Sequence, residues 1–89
     1  MTMTDDIGRI AREVRELLLD GVLAGADPGA LDGSTPLITG GVLDSVRTVK
    51  LVGQLEERFG VRFEAFEMSV DYLDTIDAIA ATVHKKGAG

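Results

Sequence analysis

Apolar residues recur at helical spacing in three stretches of the chain, with turn-forming residues between them. In the first, Ile7, Ile10, Ala11, Val14, Leu17 and Leu18 follow an i, i+3, i+4, i+7 pattern, and Arg9, Arg12, Glu13, Arg15 and Glu16 take the other face. That spacing predicts an amphipathic helix. Thr4 or Asp5 is available as its cap, Met1 to Asp6 is expected to fray, and the helix is expected to end between Gly21 and Gly25. The second stretch predicts a helix from about Ser45 to Phe59, closed by Gly60 at the C′ position. Its core face centres on Val52, Leu55 and Phe59, with Val49 and Leu51 on the flanks. Arg47, Lys50, Gln54 and Glu57 fall opposite, and Val46 and Gly53 fall with them. An apolar Val46 is unexpected on a purely solvated face. In the third stretch Ile76, Ile79, Ala80 and Val83 keep the helical spacing behind a cap at Asp74 or Thr75. Asp77 suits the start of that helix and Lys85 and Lys86 its end, while residues 87–89 are expected to fray.

The segments between the helices differ in kind. Gly25 to Leu43 is a long connection with turn chemistry at Asp27-Pro28-Gly29, Ser34-Thr35-Pro36 and Gly40-Gly41. Leu31, Leu37, Ile38, Val42 and Leu43 are spaced through it, so it is expected to pack down over the core. Val61-Arg62-Phe63 reads as a short extended link, and Phe66 to Leu73 as one irregular helical turn. The fold expected is all-α: a small up-and-down bundle of three main helices plus a short irregular helix, with a long loop after the first. The chain is read as a single domain, 1–89, with an ordered core of about 5–84.

Composition narrows the function. With three Phe, one Tyr and no Trp, the core of this small domain must be aliphatic. No cysteine is present, which removes disulfides, thiolate metal sites and thiol catalysis. The net charge of −6 disfavours nucleic acid as a partner, because phosphate binding needs a basic footprint. No apolar run is long enough to span a bilayer and no leader precedes one, so a cytoplasmic protein is the simplest reading. A catalytic reading also fails. His84 is the one histidine and is expected to be exposed near the end of the chain; no G-x-S-x-G elbow surrounds Ser45, and no cluster has metal-ligand spacing. The chain is read as a substrate of enzymes and not as an enzyme.

One stretch carries positive chemistry. Gly40-Gly41 ends the loop, Val42 and Leu43 anchor its exit, and Asp44 and Ser45 open the second helix. A serine there lies at the positive end of a helix dipole beside unpaired N–H groups, which suits a phosphate ester. The bland alternative leaves Ser45 as an ordinary N-cap or first-turn residue.

Gly41-Val42-Leu43-Asp44-Ser45-Val46, then Thr48-Val49, Leu51-Val52, Leu55-Glu56-Glu57-Arg58-Phe59-Gly60 and Asp74-Thr75-Ile76-Asp77-Ala78-Ile79-Ala80, resemble the acyl carrier and peptidyl carrier protein family. The likeness runs from the first helix to about Val83. It implies that Ser45 receives 4′-phosphopantetheine from coenzyme A, that Asp44 serves recognition by the phosphopantetheinyl transferase, and that an exposed Val46 meets partner enzymes. The alternative for Val46 is packing back onto Val42. In the family's fatty-acid carriers the exposed side of the second helix is usually acidic, whereas here Arg47 and Lys50 stand there, with Gln54 further along. Between Asp44 and Glu67 five acidic residues face four basic ones, so most of the net charge lies elsewhere. The pattern through Arg62 and Asp74-Thr75 is similar to stand-alone D-alanyl and other aminoacyl carriers and to discrete polyketide and nonribosomal carriers. The resemblance therefore implies a monomeric carrier loaded by an adenylating ligase or acyltransferase and unloaded by a downstream synthase or transferase. A fatty-acid carrier and an unmodified helical interaction module remain the alternatives.

Overall fold

Helix α1 spans Met3–Asp20 and buries Ile10, Val14 and Leu18 completely, with Ile7, Ala11 and Leu17 packed at the edge of the same core. The computed structural model describes residues 3–25, 27, 29 and 31–88. Because α1 starts at Met3, Thr4 and Asp5 lie inside it and do not cap it, contrary to expectation, and Asp6 is helical. Met1, Thr2, Pro28 and Gly89 lie outside the described residues. The helix ends one residue before Gly21, in a turn where the Leu23 N–H donates to the Leu18 carbonyl at 2.8 Å. That turn carries Leu23 into the core.

Helix α2 spans Ser45–Phe59. The Asp44 carboxylate accepts the Arg47 N–H at 2.8 Å at one end. At the other, Gly60 takes a left-handed conformation (φ 66°) and donates its N–H to Glu56. Glycine enters that region without the Cβ penalty, so the helix stops where the sequence says. A tight three-residue turn, Ala65–Glu67, precedes the one-turn helix α3, Val70–Leu73. The irregular stretch is thus two short pieces and not one turn. Helix α4 spans Ile76–Val83 and is capped by Thr75, whose hydroxyl accepts the Ala78 N–H. A wide turn, His84–Ala88, continues it. His84 is half-buried there, not exposed as expected; its backbone N–H donates to the Ala80 and Ala81 carbonyls, which holds it on the end of α4. Lys86 in the same turn pairs with Glu67, and its Nζ sits 5.0 Å from the Phe63 ring centroid.

All these elements are helical and no strand forms among the described residues. The α1–α4 pairing is the most extensive, with α2 against α1 and α3 against α4. Leu51, Val52 and Leu55 of α2 meet Leu73, Ile76, Ile79 and Val83 in one aliphatic core. Leu31, Leu37 and Leu43 of the long loop belong to that core too. The loop is stitched down by the Arg15 Nε–H on the Leu31 carbonyl (3.2 Å) and the Asp77 N–H on the Gly33 carbonyl (3.0 Å). No helix among the described residues is long and apolar enough to cross a membrane.

Candidate functional site

The start of α2 and the turn before it make the site. Each glycine of the Gly40-Gly41 pair has its own reason. A Cβ on Gly40 would lie 2.3 Å from the Pro36 carbonyl oxygen, and Gly41 has φ +78°. The turn closes when the Leu37 carbonyl accepts the N–H groups of Val42 and Leu43, both at 2.8 Å. Leu43 then drops into the core and Asp44 turns the chain into α2.

Asp44 does the capping. Its side chain takes the Arg47 N–H, and its carbonyl takes both the Thr48 N–H (2.9 Å) and the Thr48 hydroxyl (2.7 Å). Ser45, at the first helical position, is exposed, and its hydroxyl has no hydrogen-bond partner among the described residues. Nor do the N–H groups of Ser45 and Val46. Asp44→Ala should cost about 1 kcal/mol, the usual worth of an N-cap, and a urea titration reads that loss directly.

Two depressions flank Ser45. A groove of about 560 Å³ lies against the first two turns of α2. Its apolar wall is Ile38, Leu43, Val49, Met68 and Val70; Asp44, Ser45, Thr48 and Ser69 add polar atoms. A smaller recess of about 390 Å³ is lined by Ser45, Val46, Val49 and Lys50. Val46 is 64% exposed and Val49 58% exposed. Val46 therefore does not pack back onto the loop. Val49 was expected on the core flank and stands outside it. Thr48 takes the buried slot instead, in register with Leu51, Val52 and Leu55, and its hydroxyl goes inside hydrogen-bonded to the Asp44 carbonyl.

The other expected partner-facing residues divide. Arg47 is exposed and reaches back to the Val42 carbonyl at 3.5 Å. Lys50 is exposed and makes no ion pair or hydrogen bond among the described residues. Gln54 is not on the open face: it is half-buried over the end of α1, where a Cβ on Gly21 would meet its amide at 2.9 Å. Met68 and Val70 escaped the sequence reading as site residues, because the 65–73 pieces reach α2 only through the fold.

Asp74 also escaped it. Its carboxylate accepts the N–H groups of Ile38 and Thr39 and the Thr39 hydroxyl, each at 2.9 Å. The Thr39 N–H leads the bonds that hold this carboxyl below its ordinary value of 3.8. A lowered folded-state value means that the stabilisation is present above the unfolded value and is lost as pH falls through the folded one. The Tm advantage of wild type over Asp74→Asn should therefore be constant at neutral pH and shrink below about pH 4, as a thermal melt series would show. The Glu64 N–H and Lys86 lower Glu67 in the same sense, so acid should weaken the 64–67 turn as well.

No group of three or more His, Cys, Asp or Glu among the described residues could hold a metal ion. The residues at Ser45 do suit a covalently attached phosphate ester: a free hydroxyl, two open N–H groups and an adjoining groove. Comparison with protein-family models finds none that matches this chain, and comparison with curated proteins finds no match either.

Proposed function

We propose that this chain is a stand-alone carrier protein whose Ser45 bears a 4′-phosphopantetheine arm. The observation that carries the reading is the division of labour at the start of α2. Asp44 supplies the cap, so the exposed Ser45 hydroxyl has no local structural task. Attachment forms a bond from Ser45 Oγ to the phosphorus of coenzyme A, releases the hydroxyl proton and expels the adenosine bisphosphate. The open N–H groups of Ser45 and Val46 and the α2 dipole stabilise the phosphodiester charge. When attached, the arm supplies the thiol that this cysteine-free chain lacks, and so holds an acyl or aminoacyl group as a thioester.

Asp44 keeps its capping bond and serves transferase recognition through its exposed surface. Val46 and Val49 give partner enzymes an apolar contact, with Arg47 and Lys50 beside them. A partner with a basic patch would be repelled by Arg47 and Lys50, so the proposed cargo route is aminoacyl or small-acyl loading by a separate ligase. Exchanging Arg47 and Lys50 for Glu should change the loading efficiency of charge-matched partners by on the order of tenfold at low salt. Equal loading of both forms by every partner tested would remove the charge argument.

The direct test is the intact mass of the purified chain before and after incubation with coenzyme A and a broad-specificity phosphopantetheinyl transferase. A gain of one arm is expected. No gain, beside a control carrier that is modified, would leave a helical interaction module.

A further inference from the structure

The 37–43 segment carries one wall of the groove and delivers the chain to the cap of α2, and its shape depends on a residue far along the sequence. The main-chain carbonyl of Asp74 accepts the Leu37 N–H. The Asp74 carboxylate accepts the next two N–H groups, of Ile38 and Thr39, and the Thr39 hydroxyl. Three consecutive backbone donors thus end on one residue. Leu37, fully buried, then gathers Val42 and Leu43 on its own carbonyl, and Asp44 and Ser45 follow. Ile38 is left lining the groove. Thr75 caps α4, so the Asp74 carboxylate is free for this task.

We propose that Asp74 is a positioning residue for the Ser45 site: its carboxylate sets the Ile38 wall and, through the Leu37 carbonyl, the point at which Asp44 and Ser45 enter α2. Bonds to a carboxylate are stronger than neutral ones, and this loop has no helix or strand ladder of its own to hold it. The inference rests on the carrier reading only for its activity readout; the geometric part stands without it.

The experiment is residue-resolved amide exchange on the unmodified chain, for Asp74→Ala, Asp74→Asn, Thr39→Val and, as a core control, Val83→Ala. Relative to Val14 in α1, the amides of Val42 and Leu43 should exchange at least about tenfold faster in Asp74→Ala, a local opening and not a global one. Asp74→Asn, which keeps an acceptor oxygen, should restore most of the protection. Val83→Ala should speed all these amides together. Thr39→Val removes one of the bonds and should loosen the same two amides to a smaller degree, so the claim stays open to test if Asp74→Ala fails to fold. Unchanged protection of Val42 and Leu43 in both Asp74→Ala and Thr39→Val would overturn the proposal, as would the same selective loosening in Val83→Ala. In the transferase assay, kcat/KM for Ser45 should fall roughly tenfold in Asp74→Ala at temperatures where it is folded, and stay near wild type in Val83→Ala. A wild-type chain that takes no arm while the exchange results hold would overturn the attachment reading and support the positioning role.

Discussion

Replacing Ser45 by alanine is expected to abolish arm attachment completely while changing stability by less than about 0.5 kcal/mol. Other hydroxyls near the groove offer no substitute. Thr48 is buried and donates to the Asp44 carbonyl; Ser69 is half-buried and donates to Phe66; Thr39 donates to Asp74. Only Ser45 combines an exposed position, a free hydroxyl among the described residues and the start of a helix of 15 residues. The helix itself should be indifferent to the change, because Asp44 holds the cap and alanine is a strong helix former. Mass spectrometry of Ser45→Ala and wild type, with circular dichroism melts on both, separates the outcomes. Residual attachment in a folded Ser45→Ala chain would move the site elsewhere. Loss of attachment with loss of fold would leave the assignment of Ser45 unproven, and a Ser45→Thr variant, folded and slowly modified, would then supply the decision.

Leu37→Ala should cost about 2–5 kcal/mol, as much as truncating a core helix residue. Leu37 sits in a loop, yet its side chain is fully buried among the aliphatics of the helices. Removing three carbons leaves a cavity there and frees the segment that the Asp74 bonds hold. Native domains have a net stability of only about 5–15 kcal/mol, so the change removes a large part of it. Urea titrations of Leu37→Ala and of Ile38→Ala measure the contrast. Ile38 is half-buried at the groove and should cost about 1 kcal/mol. A Leu37→Ala cost no greater than that of Ile38→Ala would mean that the loop rests on the core without being part of it.

The helices were legible because their signals are local. Apolar spacing gave α1, α2 and α4, the Asp44 cap opened α2, and Gly60 closed it. Capping depends on side chains a few residues from the helix end, so the ends of α2 at Asp44 and Gly60 could be read in place, and the cap of α4 was narrowed to Asp74 or Thr75, of which the structure uses Thr75. The loop aliphatics Leu31, Leu37 and Leu43 were legible as core because so many large apolar groups do not stay in water. Some local readings failed. Val49 looked like core on a helical projection, but a satisfied Thr48 took that slot. Thr4 and Asp5 looked like caps, but α1 runs past them.

By itself, then, the sequence determined an all-helical fold, the ends of α2 and the place of Ser45 at its start, because periodicity and caps act over a few residues. Only the tertiary structure decided what surrounds that serine. Met68 and Val70 reach the groove from another segment, Gln54 folds over Gly21, and Asp74 takes the backbone N–H groups of Ile38 and Thr39. These contacts join residues far apart along the chain. A single carboxylate and a few aliphatic side chains select them through packing and hydrogen bonding that no local pattern encodes.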